Sequence, residues 1–255
     1  MARGLAGVIY GKEGMGKTSL GLQFPGPVTC LSIGENGYQY LEDVGAVPQD
    51  SVDIQITTFE QLVDRIKKCT SGTLLFDGLK GIQKLVFDYV LTKYFDGDFS
   101  KFNAWSEGPN KYAPPVFQNL LDLCTQKNAQ GVHTIFLGHM STASVPNTLG
   151  ADYLSHVILM HKECREVVRS WAGFVFMLNM SIQINIKTET QGKGNNITTV
   201  EGKAEDQDSR WIYTTTSPAH EAKNRWNLPQ KISMGKTPKI AFDNLWKYVP
   251  DSYKK

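Results

Sequence analysis

VIYGKEGMGKTSLGLQF, residues Val8 to Phe24, holds the pattern on which the reading of the whole chain turns. Within it, Gly11 to Thr18 (GKEGMGKT) match G-x-x-x-x-G-K-[ST] at every fixed position. A loop that wraps phosphate oxygens with backbone N–H groups needs residues without a Cβ, and Gly11, Gly14 and Gly16 supply that freedom. Lys12, Glu13 and Met15 fill out the cradle, Lys17 is placed to reach the β and γ phosphates of ATP, and Thr18 to ligate Mg²⁺, with Ser19 next to it. Upstream, Ala6 to Tyr10 (AGVIY) reads as a short buried strand. Downstream, a helical pattern starts at Lys17 and runs through Leu20, Leu22 and Phe24 to Pro25, aiming its positive end at the anion.

The triplet GKT returns in SMGKTPKI, Ser233 to Ile240. There Gln230 stands where the motif needs its first glycine, Pro238 follows where a helix would have to continue, and the residues before Gly235 make no convincing strand. A turn is the expectation.

Outward from the motif, strands and helices alternate. Val28 to Ile33, Ile54 to Thr57, Thr73 to Asp77 and Val132 to Gly138 read as strands, with helical spacing over 59–66, 79–94 and 116–123. The expected fold is α/β, a mainly parallel sheet flanked by helices. Asp96 to Pro115 and His139 to Leu149 read as polar loops. After about residue 173 the pattern changes to long strands, Phe174 to Ile186 and Arg210 to Thr215, around an exposed tip, Thr188 to Asp208. The expectation is a single domain over 1–255, with a core of about 1–172 and a β-rich C-terminal part of about 173–255.

Composition narrows the function classes. With 27 basic and 25 acidic side chains, the formal charge of +2 offers no global attraction to polyanions, so any such site must be local. Cys30, Cys69, Cys124 and Cys164 form no CxxC pair and read as reduced, buried thiols. No apolar run approaches the roughly 20 residues of a membrane helix, and MARGLAGVIYG lacks the apolar core of a signal peptide.

A phosphate loop that hydrolyses needs a carboxylate beside the metal and a group that activates water. Asp77 ends the strand TLLFD, at the sheet edge where the phosphate loop lies, and is the metal-side acid. Glu35 follows the strand VTCLSI and suits a general base. His139, after VHTIFLG, reaches the same edge and is placed to sense the γ-phosphate, whereas His133 and His156 read as structural or exposed.

This order of parts resembles the RecA-like ATPase core. GKEGMGKTSLGLQFP, TLLFDGL, IFLGHM and AHEAKNRWNLP look like the bacteriophage RecA-like ATP-binding proteins of the single-strand annealing and recombinase group. The resemblance implies a Mg²⁺-dependent ATPase in which Glu35 is the catalytic glutamate and Asp77 the metal-side aspartate. His139 stands where RecA carries glutamine, and Lys223 and Arg225 of AKNRW are candidates for a cation reaching a neighbouring subunit's ATP site in a homo-oligomer. It also implies action on single-stranded DNA in phage recombination or replication, within the host cytoplasm and without a membrane. The DNA-facing elements would be 96–115, where Phe99, Phe102, Trp105 and Tyr112 alternate with Lys101 and Lys111, and the stretch from His139 to Asp152. A third candidate is the tip carrying Lys187, Lys193 and Lys203. The near-balanced charge fits an alternative, an ATP-dependent assembly or loader protein acting on a protein partner without touching DNA.

Overall fold

The computed structural model describes residues 3–148, 150–190 and 198–254, and their side chains except those of 182–190 and 198–208. The apolar runs do form strands, and the amphipathic stretches helices. In chain order these are β1 (Ala6–Gly11), α1 (Lys17–Gly21), β2 (Val28–Ser32), α2 (Gly37–Asp43), β3 (Ser51–Gln55), α3 (Phe59–Lys68), β4 (Thr73–Asp77) and α4 (Leu79–Phe95). There follow α5 (Phe99–Asn103), α6 (Ala113–Ala129), β5 (His133–Val145), β6 (Tyr153–Ile158), α7 (Lys162–Trp171), β7 (Phe174–Thr190), β8 (Thr198–Tyr213), β9 (Lys231–Ser233) and α8 (Pro238–Trp246).

The strands join one sheet in the order β3-β2-β4-β5-β1-β7-β8-β9, with β6 pairing only the far end of β5. β1 to β5 and β7 are parallel through their shared register, and β6, β8 and β9 run antiparallel to their neighbours. This is the expected α/β architecture, a mainly parallel sheet covered on both faces. Alternation along the strands supplies both faces. Val8, Tyr10, Leu74, Phe76, Phe136, Val175 and Met177 pack beneath α3, α4, α6 and α7. Ile9, Leu75, Ile135, Leu137, Phe174 and Phe176 point the other way, toward α1 and α8. Each such side chain, removed wholly from water, contributes about 1.5–3 kcal/mol. The stacked pair Phe76–Phe136, with ring centroids 4.2 Å apart, ties the two central strands together.

Four expectations change. The helix after the phosphate loop is short, Lys17–Gly21. Leu22 and Phe24 continue to bury, but in turns ahead of Pro25, and a Cβ on Gly21 would lie 2.6 Å from Leu75. The segment 96–115 is largely helical: α5, a 3₁₀ turn at Ala104–Ser106, a π-helical turn at Gly108–Tyr112 and the start of α6. The stretch from His139 is no loop, because β5 continues to Val145 and pairs with β6 from Met140↔Ile158 to Val145↔Tyr153. Polar alternation there reflects a strand exposed beyond the edge of the core. Finally, residue 173 does not separate a core from an appendage, since β7 lies directly against β1, from Gly7↔Phe174 to Gly11↔Leu178.

The second GKT departs from its expectation in an instructive way. It does sit between a strand, β9, and a helix, α8. Pro238 occupies the first helical position, where its missing N–H costs nothing, and the Thr237 side chain accepts from Ile240 N–H at 3.2 Å as N-cap. Gly235, at φ 62°, makes the turn that the sequence reading expected. Of the proposed hairpin tip, Lys193 lies outside the described residues, as do the side chains of Lys187 and Lys203.

Candidate nucleotide site

Strand order decides what the phosphate loop faces. β5 lies between β1 and β4, and its register sets Gly11 beside His139 and Asp77 beside Leu137. Ser32, three residues before Glu35, pairs with Asp77. The loop, both acids and the histidine therefore meet at one edge of the sheet, although they come from four separate strands.

Within the loop, Gly14 (φ 74°) and Gly16 (φ 84°) take left-handed conformations, and a Cβ on Gly14 would meet nothing within 4 Å, so the cradle is open. Lys17 is buried, and its Nζ donates to the carbonyls of Gly11 (3.1 Å) and Lys12 (2.9 Å), arching back over the loop. Burial lowers its pKa, an effect opposed by Asp77, Glu35 and Glu13. Thr18 Oγ1 donates to Asp77 Oδ2 at 2.8 Å. Burial lifts the Asp77 pKa above the ordinary carboxylate range, with Glu35 adding to the rise and Thr18 and Lys17 opposing it.

Glu35 and His139 form the second pair, with Nε2 and Oε1 2.9 Å apart. A carboxylate only accepts, so the ring donates from Nε2. Its other nitrogen, Nδ1, faces Glu13 at 4.0 Å. The pair opens on a cleft of about 560 Å³, lined also by Lys12, Lys80 and Met140.

The donor set fits a Mg²⁺–nucleotide. Among the described residues no group of three His, Cys, Asp or Glu side chains could hold a metal alone. One hydroxyl and one carboxylate, Thr18 and Asp77, are the set that Mg²⁺ uses when the nucleotide's phosphates supply further ligands. Gly37 adds to the fit, because a Cβ there would lie 2.7 Å from Thr18 Oγ1 and 3.2 Å from Asp77 Oδ2 and crowd both donors.

Residues 3–226 match the family model of the AAA domain, AAA_24. The chain belongs to that family. No curated protein matches it. The flagellar accessory protein FlaH from Methanocaldococcus jannaschii aligns at 10% identity over 91% of this chain and 85% of that one, with a TM-score of 0.44. The RadB recombinase aligns at 9% identity over 93% and 90%, with a TM-score of 0.43.

In this AAA-domain chain the structure brings Lys17, Thr18, Glu35, Asp77 and His139 together, with Lys12, Glu13, Met15 and Ser19 on or beside the loop. Lys223 and Arg225 lie elsewhere. Lys223 bridges to Val175, and its Nζ donates to the carbonyls of Arg169 (2.9 Å) and Ser170 (3.1 Å), closing the end of α7. Arg225 is exposed. The cation the fold does bring to the loop is Arg210 of β8, whose Nη1 lies 3.5 Å from where a Cβ on Gly16 would sit. Sequence reasoning missed Arg210 and Gly37. Arg210 lies about 200 residues from the loop and in no motif, but Gly37, two residues after Glu35, was legible as a small residue beside an acid.

Proposed function

We propose that the chain is a RecA-like Mg²⁺-dependent ATPase that couples the nucleotide to single-stranded DNA, in a phage recombination, annealing or replication setting in the host cytoplasm. The observation that carries the ATPase reading is the convergence of Thr18–Asp77 and His139–Glu35 at the sheet edge where Lys17 lies. Lys17 would leave the loop carbonyls for the β and γ phosphates, a charge-assisted exchange that stabilises the anion. Thr18 and Asp77 would hold Mg²⁺, which would supply charge neutralisation at the phosphates. Glu35 holds its Oε1 on His139 and accepts a proton from water at Oε2. His139 orients Glu35 and senses the γ-phosphate. Arg210 adds a cation from the same chain, whereas exposed Arg225, with Lys223 held at the end of α7, would be the cation for a neighbour's site in a homo-oligomer.

For DNA, the support is the surface around 96–115. Phe102 is buried and Tyr112 packs edge-on to Phe95 and tilted against Tyr94, but Phe99 is 65% and Trp105 98% exposed. Exposed aromatic faces suit bases of a single strand. Lys101 and Lys111 are engaged by Asp98 (3.5 Å) and Glu107 (2.7 Å), which leaves the phosphate attraction weak. One observation favours the second reading, a loader acting on a protein partner: beside Glu35 lies a cleft of about 620 Å³ with Phe87, Leu91, Phe99 and Phe102 in its wall and charged residues around them, aromatic as the buried centres of partner interfaces are. Anisotropy with labelled single-stranded DNA across a salt series, with and without ATP, separates the two. Binding with a salt slope, reduced in Trp105→Ala, supports the DNA reading, and absence of binding at low salt supports the partner reading.

A further inference from the structure

A second cationic cleft lies away from the phosphate loop. It opens between the β5–β6 hairpin, α7 and residues 216–223, and encloses about 580 Å³. Lys162, Arg165, Arg169 and Lys223 line it, with Glu166 and Glu221. Most of these charges are committed. Arg169 pairs with Glu166 (3.3 Å) and Glu221 (3.2 Å), and Lys223 caps α7. Two cations remain. Arg165 Nε is buried without a hydrogen-bond partner, and Lys162 is exposed with none among the described residues. An orphan buried guanidinium N–H loses its water without compensation, so a site that supplies an acceptor there relieves a standing cost.

The walls are tied to the core by hydrogen bonds. Glu221 Oε1 accepts from Ile158 N–H at 2.7 Å, its carbonyl accepts from Tyr10 Oη, and the backbones of His156 and His220 bridge. Tyr10 immediately precedes the phosphate loop, so the cleft hangs on the strand that carries it. A polar cleft with two cations free of side-chain hydrogen bonds among the described residues, one of them a planar guanidinium, matches a phosphate group, whose oxygens meet Arg through paired N–H donors.

We propose that this cleft is a second phosphate-binding site, with Arg165 and Lys162 as its ligands. The phosphate belongs either to a single-stranded nucleic-acid backbone or to a free phosphorylated compound. The proposal stands whether or not the first site hydrolyses ATP.

The test uses the full chain carrying Lys17→Ala, so that the phosphate loop takes no part. Pyrophosphate is titrated by calorimetry, and a labelled oligo-thymidine single strand by anisotropy. At least one probe is expected to bind, Arg165→Ala and Lys162→Ala each weakening it by about tenfold, or about 1.4 kcal/mol. Glu166→Gln, which removes a negative wall charge and leaves Arg169 paired only with Glu221, is expected to tighten it. Binding of the single strand alone assigns the site to a nucleic-acid backbone, and binding of pyrophosphate assigns it to free phosphates. Failure of both probes to bind, or binding indifferent to both cation substitutions, overturns the proposal. Lys162 is exposed, so its variant keeps the test alive if Arg165→Ala does not fold.

Discussion

The chain carries the same three residues, Gly-Lys-Thr, twice, and both copies lie between a strand and a helix. What separates them is not this local context but what stands opposite. At the first, Thr18 donates to Asp77, and Lys17 is buried beneath an open loop. At the second, Thr237 accepts from the backbone of its own helix, and Lys236 is exposed. A hydroxyl at the start of a helix can serve a metal or the helix, and the acid brought by β4 decides which. The strand–turn–helix test is therefore necessary for a phosphate site and not sufficient.

Paired substitutions probe this contrast most strongly. Lys17→Ala is expected to lower ATP turnover by at least about 100-fold, as loss of a charge-stabilising donor does, while Lys236→Ala leaves it within about twofold. Equal effects would erase the distinction between the copies. Glu35→Gln is expected to lower kcat by about 10²–10⁴-fold with little change in KM, the mark of a lost general base. A rise in KM alone would place Glu35 in binding.

The threonines sharpen the contrast through stability. Thr237→Ala should cost about 1 kcal/mol in urea unfolding, with nucleotide affinity unchanged. Asp77→Asn should act in reverse, stabilising the protein while abolishing Mg²⁺-dependent turnover. The sign follows from burial: a carboxyl with a raised folded pKa holds its charge less readily than in the unfolded chain, so the charged form costs stability at neutral pH and the cost fades as pH falls through the folded pKa. Asn removes that charge and can still accept from Thr18, and a fall in Tm would contradict this account.

A further expected effect lies under the helix that the second triplet starts. Trp246 of α8 stands edge-on to His133, centroids 6.3 Å apart. His133 is buried, its Nδ1 accepts from Leu5 N–H at 3.0 Å, and burial lowers its pKa from the usual 6.5 to about 4. The unfolded chain takes up a proton between those values and the folded one does not, so stability should fall as pH drops from 6.5 toward 4, by on the order of 3 kcal/mol. His133→Gln should flatten that slope in unfolding curves, and an unchanged slope would assign acid sensitivity elsewhere.

Much of this was legible in the sequence for physical reasons. Buried parallel strands are continuous apolar runs, so TLLFD and VTCLSI stood out, and a residue just past such a run must emerge at the sheet edge, which located Glu35, Asp77 and His139. The rest depended on pairing. That β5 separates β1 from β4, that β7 joins β1, and that Arg210 reaches Gly16 are contacts between residues far apart in the chain, and no local period records them. The segment 96–115 was misread because prolines and glycines, which usually break helices, here sit at helix starts and in a π turn, as Pro109 and Pro114 do.

The central claim is that Glu35, oriented by His139, activates water at the loop held by Lys17. It is tested most directly by measuring, on the same preparations, binding of a fluorescent ATP analogue and release of phosphate for the wild type, Lys17→Ala and Glu35→Gln. The account predicts both signals in the wild type, neither in Lys17→Ala, and nucleotide binding without phosphate release in Glu35→Gln. Phosphate release at the wild-type rate from Glu35→Gln would contradict it.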